Sequence, residues 1–174
     1  MIDCFKALIS QAQIVQTFSY TGSIQTFTIP SCVSQFTIQA NGAQGGGSFN
    51  GGGGLGARMI GTFSTTAGAV YSLVVGQMGL LQAGGQAQNS SGGGGGSFVY
   101  SSGPTLLIAA GGGGGKCNFT GSSALHAGAA GTVSAAGNQA SSSGAAGGAA
   151  SLGGNAGLWS NVACAGGGAG WSGV

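Results

Sequence analysis

Ile24-Gln25-Thr26-Phe27-Thr28-Ile29-Pro30-Ser31-Cys32-Val33-Ser34-Gln35-Phe36-Thr37-Ile38-Gln39-Ala40-Asn41-Gly42-Ala43-Gln44-Gly45-Gly46 holds two kinds of structure in one run. Residues 24–29 alternate apolar and polar with a period of two, as a half-buried strand does. Pro30-Ser31-Cys32 breaks the run. Residues 34–40 then alternate again, with Phe36, Ile38 and Ala40 on one face. From Gly42 onward the large side chains stop and glycine takes over.

The same alternation of strand and glycine block continues along the chain. Strands are predicted over about 57–65, then 70–75 with Tyr71, Leu73 and Val75 sharing a face, then 97–100 and 105–110. Thr66-Ala67-Gly68 is a turn between two of them. Residues 14–20 read as one more strand near the start, and 5–13 is a weak helical stretch. Glycine blocks fall at 42–56, 92–96, 111–115 and 165–170, with a long Gly/Ala/Ser tract at 121–157. In that tract Gly128, Gly131 and Gly137 share one three-residue phase, and Gly144, Gly147 and Gly153 share another. An extended helix with three residues per turn has that repeat. Chains in that form, lacking side chains, can pack closely and hydrogen-bond through the backbone. The expected fold is all-β: an antiparallel, jelly-roll-like β-sandwich with an appended bundle of polyglycine-II-type extended helices. The sandwich strands fall mainly in 21–110 and the bundle mainly in 42–56 and 111–174, all within one glycine-rich domain over 21–174. Residues 1–20 form a separate N-terminal segment, read either as an intersubunit strand or as an edge strand of its own domain.

Charge is nearly absent. Among 174 residues there are one acid, Asp3, and three bases, Lys6, Arg58 and Lys116, whereas 42 positions are glycine. Globular domains usually carry about a quarter charged residues. A chain this neutral has little electrostatic repulsion to keep copies apart. The net charge of +2 is too small for a nucleic-acid footprint. Glycosidase chemistry needs two carboxylates and the chain has one. A nucleophile triad would have to draw on Asp3 and His126, its only acid and only histidine. Ala110-Gly111-Gly112-Gly113-Gly114-Gly115-Lys116-Cys117 invites a phosphate-loop reading. It lacks the first glycine and the Ser or Thr after the lysine. No catalytic, cofactor-binding or metal-binding residue is expected. No run reaches the roughly 18 apolar residues of a membrane span. The N-terminus is a poor signal peptide, because Asp3 and Lys6 interrupt its apolar stretch. Collagen is excluded, since glycine keeps no strict period of three along the whole chain and there are only two prolines.

Four cysteines, Cys4, Cys32, Cys117 and Cys164, are widely spaced and include no C-x-x-C pair. They are read as two structural disulfides in an oxidising compartment, against the alternative of buried thiols in a cytosolic protein. Two sequons, Asn89-Ser90-Ser91 and Asn118-Phe119-Thr120, are candidate glycosylation sites. Trp159 and Trp171 flank the last cysteine. They are candidates for contact with a sugar or a neighbouring subunit, with internal packing as the plainer role.

Phe18 through Pro30, then Phe36-Thr37-Ile38-Gln39-Ala40-Asn41-Gly42-Ala43-Gln44-Gly45-Gly46, resembles the opening of secreted glycine-rich domains of bacterial and protist surface proteins. Gly76-Gln77-Met78-Gly79, and Thr105 to Ala110 ahead of Gly111–Gly115, fit the same pattern. These stretches are also similar to the glycine-rich region of the anaplastic lymphoma kinase and leukocyte tyrosine kinase receptors. The resemblance covers residues 17–115 and extends to the remainder by composition only. It implies an extracellular jelly-roll sandwich joined to polyglycine helices, without enzymatic activity, serving as a surface, adhesive or ligand-binding module. The sequence carries no kinase and lacks the charges of the receptor ectodomains, so a receptor role is not expected.

Three functions follow as expectations. The first is a structural subunit of an extracellular filament or surface layer, partnered head-to-tail by further copies of itself. The second is an adhesin or carbohydrate-binding module that meets glycans. The third, weaker for want of regular threonine arrays, is an ice-binding protein. The disulfides are expected to join Cys4 to Cys32 and Cys117 to Cys164, and peptide mapping without reduction decides between this and the two other pairings. Four alkylatable thiols in native material would end the disulfide reading.

Overall fold

A computed structural model describes residues 14–47, 52–80, 88–103, 105–119, 130, 157–159 and 162–164. Among these residues the fold is all-β, with no helix. The strands are β1 (Gln25–Thr28), β2 (Gln35–Asn41), β3 (Arg58–Ser64), β4 (Val70–Val74), β5 (Gln88–Ser90), β6 (Ser97–Ser101), β7 (Leu106–Ala110), β8 (Cys117–Phe119), β9 (Gly157–Trp159) and β10 (Val162–Cys164). A four-stranded sheet runs in the order β1-β4-β6-β7, and β2 pairs with β3. Two short pairs, β5–β8 and β9–β10, stand apart from these sheets, and every ladder is antiparallel.

The period of two sets what each strand buries. On β2, Phe36, Ile38 and Ala40 turn inward while Gln35, Thr37, Gln39 and Asn41 stay exposed. On β4, Tyr71 and Leu73 are buried. Ile29, Ala40, Tyr71, Leu73, Val99, Ile108 and Ala110 form the core, contributed from both sheets. Phenylalanines close one end. The Phe36 ring lies 4.9 Å from Tyr71, 5.7 Å from Phe27 and 5.9 Å from Phe63, centroid to centroid. Tyr71 keeps its hydroxyl satisfied by Thr65 at 2.9 Å. Buried aromatic pairs of this kind add about 1 kcal/mol each beyond the area they cover. Gly68, at φ 79°, makes the turn that carries the chain from β3 to β4. Its N–H donates to the Ile29 carbonyl.

Two expectations are corrected. The strand expected over 24–29 spans only Gln25–Thr28, and Ile24, three residues from Phe27, is 62% exposed. The register pairs Phe27 with the buried Tyr71, which puts Gln25, Phe27 and Ile29 inward. Ile24 must then share the outer face with Thr26 and Thr28. Residues 14–20 form no strand. Alternation tells which face a strand would bury, not whether a partner edge is present. Phe18 instead packs on Phe27 at 6.1 Å, Gln25 Nε2 donates to the Ser19 carbonyl at 2.9 Å, and Tyr20 Oη donates to Gln77 Oε1 at 2.9 Å. The helical stretch expected at 5–13 and most of the tract at 121–157 lie outside the described residues.

Five glycine-rich segments continue the strands at one end of the molecule: I (42–46) after β2, II (52–57) before β3, III (76–80) after β4, IV (91–96) before β6 and V (111–116) after β7. None belongs to a β ladder, yet backbone hydrogen bonds link them. Gly42 and Gly45 donate to Ala57 and Gly54 of segment II, whereas Ala43 and Gly46 donate to Gly95 and Gly92 of segment IV. Gly54 and Ala57 donate to Gly114 and Gly111, and Gly92 and Gly95 donate to Leu80 and Gln77. Ser91 and Gly94 donate to Lys116 and Gly113, which donate in turn to segments I. Donors to one neighbour are three residues apart, where a β-strand would space them by two. Segment III thus joins the glycine blocks at 42–56, 92–96 and 111–115.

Glycine is required by proximity. A Cβ on Gly42, Gly45, Gly53, Gly56, Gly76, Gly79, Gly94, Gly112, Gly113 or Gly115 would fall closer than 3.0 Å to a backbone atom of another segment. At Gly103 nothing lies within 4 Å. Gly113→Ala is expected to lower stability by about 3 kcal/mol or more, since a backbone neighbour has no rotamer by which to yield. Gly103→Ala should stay within about 0.5 kcal/mol of the parent. Denaturant unfolding of the two variants checks both values, and equal midpoints would refute the packing argument.

Candidate functional site

The polar side chains that the fold buries sit at the two ends of the glycine region. Ser97 opens β6, and its Oγ donates to the Asn41 carbonyl at 2.7 Å while accepting from the Gly76 N–H at 3.0 Å. One hydroxyl thus ties the last residue of β2, the first of segment III and the first of β6, where the sandwich hands over to glycine. At the far end Ser91 is buried, and its Oγ donates to the Gly47 carbonyl. Lys116 is buried beside it. The Lys116 N–H donates to the Gly46 carbonyl and its carbonyl accepts from Ser91 N–H. Gln44 adds a bond from Nε2 to the Gly53 carbonyl at 3.1 Å, while its own carbonyl accepts from Gly79. These residues hold segments together.

The sequence-predicted site residues scatter over the fold. Cys32 occupies the turn between β1 and β2 with φ 69°. Cys117 lies on β8 opposite Ser90, and Cys164 on β10 opposite Gly157. Asn89 on β5 and Asn118 on β8 face each other in register. Trp159 lies on β9 opposite Val162. Cys4, Trp171, Asp3 and His126 lie outside the described residues. No group of three or more His, Cys, Asp or Glu side chains occurs among the described residues. Nor, among them, is any helix long and apolar enough to cross a membrane.

The run from Ala110 to Cys117 does not form a phosphate cradle. Phosphate loops present free backbone N–H groups at the start of a helix. Here Gly113 and Lys116 donate theirs to Ala43 and Gly46, and residues 117–119 form a strand. No protein-family model matches the chain, and no curated protein matches it.

Hydrogen bonding on the exposed face of β2 and β3 is polar, with Arg58 its charged member. Across the exposed face of β2 and β3, Thr37 and Thr62 share a bond of 2.9 Å, and Arg58 Nη2 donates to Gln39 Oε1 at 2.8 Å. Isolated apolar side chains stand among these polar ones: Ile14, Val15, Ile24, Leu55, Ile60, Met78 and Leu80 are all exposed. Sequence reasoning passed over Ser91, Ser97 and Gln44. The available signal was position, because each hydroxyl residue stands at the border of a glycine run rather than within it. Ser97→Ala is expected to cost about 1–2 kcal/mol, because it removes the two part-buried hydrogen bonds that tie Asn41 and Gly76 to β6. Equilibrium unfolding measures it, and a cost near zero would show the hydroxyl to be dispensable.

Proposed function

We propose that this chain is a non-enzymatic, extracellular structural protein whose copies assemble head-to-tail into a filament or surface layer. The observation that carries the reading is the lead-in to the domain. Ile14 and Val15 are each 75% exposed, are β-branched as strand residues commonly are, and belong to no ladder. An apolar segment of strand-like composition without a partner in its own protomer is suited to one in the next. The low charge supports the same reading, since stacked identical subunits repel more strongly the more net charge each carries.

Under this reading the glycine segments form a polyglycine-II-type bundle appended to a jelly-roll sandwich, as in the secreted glycine-rich domains the sequence resembles. The three-residue spacing of donors supports the bundle. The long tract at 121–157 is proposed to add further strands to it. Disulfides and glycans at Asn89 and Asn118 suit an extracellular location. A second reading, an adhesin or carbohydrate-binding module, draws support from the exposed, uncharged face of Gln35, Thr37, Gln39 and Asn41.

Negative-stain microscopy of native material separates the two. Polymers without added ligand support the structural reading, and monodisperse particles support the binding module. Deleting residues 1–16 should leave a folded monomer that no longer polymerises, and unchanged filaments from the truncated chain rule out assembly through this segment. Polymer yield should also vary little between about 0.05 and 0.5 M salt, because few charges are present to screen.

A further inference from the structure

β1 ends the four-stranded sheet, and its outer side carries no strand among the described residues. The ladder shows which of its backbone groups are in use. Ile29 N–H donates to the Ala69 carbonyl at 2.9 Å, and the register pairs Phe27 with Tyr71 and Gln25 with Leu73. In an antiparallel pair, alternate residues direct their N–H and C=O to the same side. Gln25, Phe27 and Ile29 therefore serve β4, while Ile24, Thr26 and Thr28 turn theirs to the free edge. Natural edges are usually protected by charge, proline or a bulge. Within β1 there is no charge and no proline, and its register with β4 is unbroken.

The other edges differ. β7 meets β6 through an irregularity at Val99/Tyr100. β3 begins with the charged Arg58. On the free side of β2, the Asn41 carbonyl is already taken by Ser97.

We infer that the free edge of β1 receives residues 14–17 of a second copy of this chain, as an added antiparallel or parallel strand. This rests on the filament reading above and names its contact. The occupant is argued from the arm itself. Residues 18–20 are held by Phe27, Gln25 and Gln77 over the rim of their own sandwich. Residues 14–17 are exposed and leave it. Thirteen more residues precede Ile14 in the sequence. Residues 14–17, running out from the Phe18 anchor, span about 14 Å extended, enough to reach the β1 edge of a subunit packed against the rim. Ile14 or Val15 would cover the exposed Ile24 on the outer face of β1. Donor arm and acceptor edge are different surfaces, so the contact propagates unless two chains exchange arms reciprocally.

The test places the photocrosslinker p-benzoylphenylalanine at Ile14 of the full chain and mixes 14N- and 15N-labelled protein. Mapped heavy–light crosslinks to residues 24–28 are the expected result. Thr26→Pro removes an N–H that β4 does not use, and should lower that crosslink by about tenfold, the worth of one hydrogen bond at the contact. The double variant Val15→Pro/Gln16→Pro, in the exposed arm where the domain cannot be unfolded, should do the same. Crosslinks confined to one chain, crosslinks to another surface, or a yield unmoved by both variants would each overturn the edge assignment. Polymers that persist alongside such a result leave the filament reading standing. A chain that forms no polymer, yet crosslinks between copies at β1, overturns the filament and keeps the edge.

Discussion

Backbone meets backbone in this protein without side chains between, and the rest of the architecture follows from that contact. Gly113 passes the carbonyl of Gly54, Gly112 that of Gly94, and Gly45 that of Gly114, at separations no Cβ can enter. Glycine pays the largest entropic cost of any residue for such order. Ordering a backbone costs about 1–2 kcal/mol per residue, and one hydrogen bond returns about 1. Glycine segments alone therefore stand near balance and cannot be expected to order by themselves. Here they are templated. Each of the five extends a sandwich strand, so the antiparallel sheets deliver their starts and ends already aligned. Ser97 fixes the junction at one end, and Ser91 fixes the far end.

The all-β character and the two antiparallel sheets were legible in the sequence where a strand is long enough to show a period. Seven residues of β2 give three inward positions, and Phe36, Ile38 and Ala40 all follow it. β1 has four residues, too few for the sequence to tell the outward Ile24 from the inward Phe27 and Ile29. β5, β8, β9 and β10 span three residues each, too few for any period to be read. Segment III escaped for a different reason. Gly76-Gln77-Met78-Gly79-Leu80 holds only two glycines, but they are the two whose Cβ would meet Gly95 and Gly92. Composition misses such a segment. Glycine at every third position finds it, as it also finds Gly42/Gly45, Gly53/Gly56 and Gly112/Gly115. The candidate surfaces were less legible still, because exposure of Ile14 and Val15 depends on the absence of a ladder, which no local pattern reports.

The shortage of charge is not a consequence of this packing. Close approach excludes long side chains only from the positions that face another segment. Between them lie positions that point outward, and these carry Leu55, Met78 and Leu80, all exposed. The outer strand faces likewise hold Thr26, Thr28, Gln35, Thr37, Gln39, Thr62 and Ser64, all exposed. Lysine or glutamate would fit at any of these sites at little cost to the fold, and surfaces of soluble domains normally use them. Since the interior does not forbid charge, the reason for its absence belongs to whatever the outside meets. A surface that meets water alone gains from charge, and one that meets a copy of itself loses by it where the charge would be desolvated at the contact without a partner. The composition of the outward positions thus argues for repeated self-contact independently of the arm.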